Sequence, residues 1–143
     1  MKTINRYLQK ADAAIISTEI AKNTVSHVEG LPVTPIYKVP SSYKGAISSF
    51  GASLIMSGLI PTIQFFMSDS NNRDSDHSKI IAAIAKIIYE SPNDNADFMK
   101  NEVLRLADNN IERNKLRNKI ADAAIALKIM LRTYQFQQKE EEA

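Results

Sequence analysis

Glycine and proline are unevenly distributed along this chain, and long stretches contain neither residue. The 143 residues include only four glycines and five prolines, and three of the prolines fall between Pro32 and Pro40. Because both residues interrupt regular structure, segments without them favour helices over a turn-rich β fold. Apolar residues in these segments recur every three or four positions, and no segment alternates strictly between apolar and polar residues. We therefore predict an all-α fold.

The apolar period predicts a bundle of about five to six helices. A hydrophobic content of 44% is sufficient for one core in a chain of this length, so we expect a single domain over residues 1–143. The helices are predicted over residues 2–28, 41–58, 61–67, 77–89, 95–107 and 111–137. A break is expected near residues 58–61, because a proline inside a regular helix costs about 3 kcal/mol. Ser41 or Ser42 is expected to cap the second helix through its side-chain oxygen.

Three segments between or after these helices are predicted to lack regular structure. The proline-rich stretch 30–40, directly after the first helix, is predicted to be a linker, because closely spaced prolines favour an extended backbone and remove amide donors. The polar run 68–76 is predicted to be a surface loop. The last residues, 138–143, include three glutamates and are predicted to form a disordered acidic tail.

The sequence contains no recognisable pattern for catalysis, cofactor binding or metal binding. It has no cysteine, which excludes disulfides, thiolate metal sites and a cysteine nucleophile. Residues 69–74 superficially resemble a calcium loop, but Arg73 occupies a ligand position and the glycine that should follow is missing. We therefore predict a protein that is not an enzyme and has no cofactor. The lack of cysteine and of a secretory segment favours the cytoplasm.

Residues 45–68 carry no charge and are long enough to be considered as a membrane span. Serine, threonine, glutamine and proline side chains within the segment lower its hydrophobicity, however. A central helix of a small bundle, apolar on most sides, has the same composition. We favour the central helix and expect no membrane partner.

Positive charge is concentrated in the last predicted helix. Residues 111–132 carry six basic and two acidic side chains, whereas the net charge of the whole chain is only +2. Arg117, Lys128 and Arg132 fall within roughly 60° of one another around the helix, and Lys115 and Lys119 flank the apolar stripe on its other side. Along the axis, Lys128 lies about 6 Å from Arg132 and about 16 Å from Arg117. These distances suit successive phosphates of a nucleic acid, although a solvated basic face remains the alternative.

The same helix has a second apolar side. Ile125 and Ile129 lie nearly opposite the predicted core stripe, which includes Leu116 and Leu127. A helix that is apolar on two sides is either central in its bundle or offers one side to a partner. Burial within the bundle is the prediction, and an interface is the alternative.

Two segments follow further patterns. In residues 43–67, Gly58-Leu59 and residues 62–65 occupy the places of the form GLxxTLAF. In residues 118–132, Asp122-Ala123, Leu127 and Arg132 fit a terminal pattern of acid–alanine, leucines and a basic end. In both segments the chain resembles the small-subunit family of the type III-B CRISPR effector, the Cmr complex. Ile129 departs from the terminal pattern, because it stands where the family has a tryptophan.

The resemblance implies an α-helical, non-catalytic structural subunit of an antiviral RNA-guided complex. Its implied partners are guide RNA, target RNA, the other subunits of the complex and neighbouring copies of itself. A helical protein–protein adaptor without direct RNA contact, using Ile125 and Ile129 or the region of Gly58, is the alternative. The candidate RNA-binding residues are Lys44, Lys115, Arg117, Lys119, Lys128 and Arg132.

Overall fold

Six α-helices and three short strands form the part of the chain that the computed structural model describes, which is residues 2–23, 37–68, 77–89 and 96–137. The helices are α1 (Lys2–Ser17), α2 (Ser42–Ser57), α3 (Leu59–Ser68), α4 (Ser78–Tyr89), α5 (Ala96–Arg105) and α6 (Asn110–Leu131). The strands are β1 (Lys22–Asn23), β2 (Tyr37–Pro40) and β3 (Gln135–Gln137). The prediction of an all-α bundle with about six helices is confirmed.

Every described helix contributes side chains to one hydrophobic core. The longest helix, α6, packs against α1, α2 and α4, and α4 also contacts α3 and α5. Completely or almost completely buried residues come from all six helices, in chain order Ile15, Phe50, Phe66, Ile84, Met99 and Ile120. The rings of Phe50 and Phe66 meet edge to face with their centroids 5.1 Å apart, an arrangement that aromatic pairs prefer. Since α4 also packs against α1, α4 and α6 together form the centre of the packing.

The break between α2 and α3 lies where the sequence predicts it. Gly58 separates the helices with a φ of +88°, which a residue with a side chain rarely adopts. Pro61 lies in the first turn of α3, where its missing N–H removes no helical hydrogen bond. The buried Thr62 hydroxyl donates to the carbonyl oxygen of Gly58 at 2.7 Å and lies 2.7 Å from the Ser53 hydroxyl. Two polar groups of the break are thus satisfied inside the fold.

The predicted cap of α2 is wrong. Ser41 has a helical backbone conformation, and its side chain makes no capping hydrogen bond. The hydroxyl of Ser42 is buried without a hydrogen-bond partner among the described residues. A capping serine needs an extended backbone to reach the amides of the first turn, and β2 delivers the chain to α2 in a different geometry.

The first helix is shorter than the predicted 2–28, because α1 ends at Ser17. Glu19 has a φ of +63°, and the amide of Ala21 donates back to the carbonyl of Ile15 at 3.1 Å. This reversal turns Ile20 and Ala21 into the core, where they are 0% and 2% exposed. Burial of these two side chains overrides the local helical pattern. Residues 24–28 lie outside the described residues.

A small three-stranded sheet corrects two further predictions. β1 pairs antiparallel with β2, and β2 pairs parallel with β3. Residues 37–40 of the predicted linker are therefore a strand, with Val39 fully buried. The last helix does not reach residue 137, because α6 ends at Leu131 and β3 follows. Ser68, predicted to begin the surface loop 68–76, is instead the last residue of α3. Residues 30–36 of the linker, residues 69–76 of the predicted loop and the tail at 138–143 lie outside the described residues.

Candidate nucleic-acid interface

The orientation of α6 is set at both ends by polar contacts. At its start, the side-chain oxygen of Asn109 accepts a hydrogen bond from the amide of Glu112 at 3.1 Å. Just beyond its end, the Tyr134 hydroxyl donates to Asp12 Oδ1 at 2.5 Å and ties the chain to α1. Five members of the predicted core stripe are buried: Leu116, Ile120, Ala123, Leu127 and Leu131. The sixth, Tyr134, lies beyond the end of α6 and is only partly buried. The opposite side of α6 consequently faces outward.

The structure divides the six candidate residues among four places. Arg117 and Lys128 line the same groove, between α2 and α6. Arg132 is exposed directly after the last residue of α6. Lys115 and Lys119 are exposed on the other flank of α6, and the exposed Lys44 lies in the first turn of α2. The array is therefore distributed along and around one helix, with Lys44 contributed by a second.

Few of these cations are neutralised within the described part of the chain. Lys115 forms an ion pair with Glu112 at 3.4 Å, and both side chains are more than half exposed. Arg117 donates to the amide oxygen of Asn118 at 3.4 Å, which leaves its charge in place. Across residues 2–23, 37–68, 77–89 and 96–137, no ion pair within 4.0 Å involves Lys119, Lys128 or Arg132. Their positive field is thus available to an anionic partner.

Arg113, also basic and on α6, has a different role. Its guanidinium donates to the carbonyl oxygen of Ala107 and, at 2.7 Å, to the side-chain oxygen of Asn110. These bonds hold the turn between α5 and α6. Arg113 therefore stabilises the fold locally and is set apart from the outward-facing cations.

The groove between α2 and α6, called the α2/α6 groove, has a volume of about 210 Å³. In the described part of the chain it is lined by Ile47, Ser48, Gly51, Leu54, Ile55, Arg117, Ala121, Ala124, Ile125 and Lys128. Ile55 is 78% exposed and Ile125 is 45% exposed. An apolar floor with two basic side chains can accept an apolar group that carries negative charge beside it.

The exposure of Ile125 and Ile129 corrects the prediction that they are buried within the bundle. Ile129 is 40% exposed, so both isoleucines belong to the outer side of α6. Sequence reasoning did not select Ile55 or Gly51 as site residues. The uncharged stretch 45–68 could have indicated these residues. A helix that is apolar on most sides keeps an exposed apolar face when only one of its sides packs on the core.

A separate polar cluster outside the groove involves Glu102, Arg105 and Tyr89. The Arg105 guanidinium binds Glu102 at 2.8 Å and lowers the pKa of that carboxyl. Burial raises the pKa of Tyr89 to about 12, and the negative charge of Glu102 adds to the shift. Within the described ranges, no group of three histidine, aspartate or glutamate residues is arranged to hold a metal ion. None of the helices in those ranges is both long and apolar enough to cross a membrane.

Comparison with known protein families shows which family the chain belongs to. The model of the family described as CRISPR-associated protein (Cas_Cmr5) matches residues 8–131. The chain belongs to this family. The family comprises the small subunits of type III-B CRISPR complexes. The resemblance found in the sequence is therefore confirmed, and the protein is a type III-B CRISPR subunit. Comparisons with curated proteins and with solved structures gave no match.

The matched residues contain the α2/α6 groove and nearly all of the outward-facing cations. They begin within α1 and end at the last residue of α6. Arg132 lies just beyond the match, and the strand β3 follows it. Membership of the family therefore covers the groove and nearly all of the core, of which only Ile4 and Tyr7 lie before the match.

Proposed function

We propose that this chain is a non-catalytic structural subunit of a type III-B CRISPR effector that contacts the guide–target RNA in antiviral defence in the cytoplasm. The observation that carries the proposal is the set of cations on α6 or directly after it that have no carboxylate partner in the described part of the chain: Arg117, Lys119, Lys128 and Arg132. Further partners under this proposal are the other protein subunits and neighbouring copies of the chain.

The spacing of the cations favours the RNA backbone over the bases. Lys128 and Arg132 are one helical turn apart, about 6 Å along the axis, and phosphates along a strand are spaced similarly. Lysine and arginine bind phosphates by charge and by release of counterions, and such contacts position a protein without reading sequence. A subunit that follows a guide of any sequence requires this kind of contact.

The surface chemistry of α6 suits a structural role. The outward-facing side chains include basic cations and isoleucines, and isoleucine is chemically inert. Exposed cations of this kind hold an anion in place, whereas a lysine that acts as a nucleophile or general base is buried or lies beside an activating group. We accordingly propose that cleavage of RNA is left to other subunits.

Charge reversal at Lys128 and Arg132 tests the RNA contact. The double variant Lys128→Glu/Arg132→Glu is expected to bind RNA about tenfold or more weakly, a loss of at least 1.4 kcal/mol, and to assemble poorly into the RNA-containing complex. Binding is measured by fluorescence anisotropy with labelled single-stranded RNA and with an RNA duplex.

Lys100→Glu provides the matched control, because Lys100 is an exposed cation on α5. This variant is expected to bind RNA within about twofold of the wild type. Helical circular dichroism establishes that each variant is folded. Unchanged RNA affinity of the folded double variant at low salt contradicts the proposed RNA contact.

A protein–protein adaptor without RNA contact is the second candidate function. It is favoured by the exposure of Ile125 and Ile129 on α6. An adaptor of this kind binds its partner at high salt and has no RNA affinity, whereas phosphate contacts weaken steeply as salt rises. Measurement of RNA binding at low salt separates the two candidates.

A further inference from the structure

The α2/α6 groove has the size of a slot for protein side chains. Its volume of about 210 Å³ lies below the roughly 300–1,000 Å³ that is usual for small-molecule sites. It is also open along the surface between two helices, as the exposure of Ile55 and Ile125 indicates. These features favour insertion of side chains from another surface over capture of a metabolite.

The lining favours aliphatic side chains over nucleobases. The described lining residues provide isoleucine, leucine and alanine side chains, and Ser48 adds a hydroxyl. Proteins that hold unpaired bases stack them on aromatic rings or guanidinium planes and hydrogen-bond their edges. The described lining contains one guanidinium, that of Arg117, and no aromatic ring, and its aliphatic walls complement another apolar side chain.

Gly51 leaves space in the groove because it has no side chain. A glycine inside a helix costs about 1 kcal/mol relative to alanine, and Gly51 lies within α2. A Cβ atom added there would meet nothing within 4 Å, so the packing of this chain does not demand glycine at the position. A larger side chain would instead fill the groove, and glycine leaves room for a partner to approach the backbone.

The charges at the groove identify the character of the occupant. Arg117 and Lys128 both line it and are about 16 Å apart along α6. Neither has a carboxylate partner within 4.0 Å among the described residues. Two cations separated by three helical turns complement acidic residues at the two ends of a short helix, whose apolar residues fit between them.

We propose that the α2/α6 groove is a docking site for an acidic amphipathic helix of another protein subunit of the effector complex. Its apolar residues enter the groove over Gly51 and Ile125 at helical spacing, and its carboxylates meet Arg117 and Lys128. Lys128 lies at the edge of both the groove and the proposed RNA surface, whereas Arg132 lies outside the groove. The proposal stands on family membership and does not depend on the RNA contact.

Filling the groove without changing its charge tests the proposal. The variant Gly51→Leu adds an aliphatic side chain on the groove side of α2, and Gly45→Leu makes the same change on α2 outside the groove. Each variant is combined with the remaining protein subunits of its own complex, prepared free of RNA by ribonuclease treatment. Affinity is measured at about 0.15 M salt.

Gly51→Leu is expected to weaken binding to these subunits about tenfold or more, and Gly45→Leu by less than about twofold. Both variants are expected to keep the RNA affinity of the wild type. If Gly51→Leu binds the subunits as well as Gly45→Leu does, the groove is not the docking site. If Gly51→Leu loses RNA affinity and keeps subunit affinity, the groove holds RNA and the proposal is overturned.

A second pair of variants keeps the test decisive if Gly51→Leu does not fold. Ile55→Gln changes an exposed groove residue, and Phe65→Gln changes a residue of α3 that is 62% exposed and is not part of the described groove lining. Loss of subunit binding by Ile55→Gln, with binding retained by Phe65→Gln, supports the proposal. Equal binding by the two variants contradicts it.

Discussion

The inner and outer sides of α6 contain the same type of residue in opposite environments. Ile120, on the inner side, is 0% exposed, whereas Ile125, on the outer side, is 45% exposed. The inner side packs on α1, α2 and α4. The outer side carries Ile125 and Ile129 together with cations that the described part of the chain does not neutralise.

This difference separates two tasks of one helix. The inner side holds the bundle together, because burial removes apolar surface from water at roughly 25 cal/mol per Å². The outer side gains little from its isoleucines within this chain, because they stay partly in water; under the docking proposal they contribute through contact with a partner. Position around the helix, rather than residue type, thus distinguishes a buried, stabilising isoleucine from an exposed one.

The largest expected effect is on the inner side. Ile120→Ala leaves a cavity in a fully buried site and is expected to lower the free energy of unfolding by about 2–5 kcal/mol. Urea denaturation monitored by circular dichroism measures this change. A loss below about 1 kcal/mol would contradict the central position of α6 in the core.

A smaller effect is expected at the contact that ties the C-terminal end of α6 to α1. Tyr134→Phe removes the hydrogen bond from the tyrosine hydroxyl to the Asp12 carboxylate and is expected to cost about 1.5 kcal/mol. The same denaturation experiment measures it, with Asp12→Asn as a companion variant. Because the two side chains share one hydrogen bond, the double variant is expected to be less destabilised than the sum of the two single variants.

The same contact predicts a dependence of stability on alkaline pH. Burial and the hydrogen bond to Asp12 raise the pKa of Tyr134 above the ordinary value of 10.0, and burial raises that of Tyr89 to about 12. The folded state therefore retains protons that the unfolded state releases above pH 10. The resulting stabilisation is complete below pH 10 and is lost as pH rises further. Tyr134→Phe is expected to reduce this loss.

The smallest effect on stability is expected on the outer side. Ile125→Ala removes a side chain that is nearly half exposed and replaces it with a better helix former, so the free energy of unfolding should change by no more than about 0.5 kcal/mol. The same variant is expected to weaken binding to the protein subunits of the complex. A large destabilisation without any effect on binding would make Ile125 an ordinary core residue.

Much of the fold follows from local patterns in the sequence. The bounds of α4 and α5 agree with the apolar period to within two residues, and the break at Gly58 and Pro61 follows from the backbone chemistry of these two residues. The core stripe of α6 could be predicted because 3.6-residue periodicity places its members on one side.

The errors involve contacts between residues that are distant in the sequence. β2 pairs with segments on both sides of it along the chain, so its strand character depends on partners that no local pattern reveals. The early end of α1 follows from burial of Ile20, and this burial is possible only when the core has assembled. Tertiary packing therefore overrides local propensity at both ends of the chain.

The candidate site was predicted only in part. The positive charge of α6 is evident from its basic residues, and the structure places Arg117 and Lys128 in one groove. The apolar floor of that groove could not be predicted, because it requires α2 and α6 to pack with Gly51 and Ile125 on the same side. A sequence pattern assigns residues to a helix face, whereas a groove is defined by two faces together.

The salt dependence of RNA binding tests the central claim most directly. The logarithm of the binding constant is plotted against the logarithm of salt concentration for the wild type and for Lys128→Glu/Arg132→Glu. If both residues contact phosphates, the magnitude of the slope falls by about 1.4 for single-stranded RNA and by about 1.8 for a duplex, assuming the B-DNA value per contact. Equal slopes for the two proteins would mean that neither cation binds the RNA backbone.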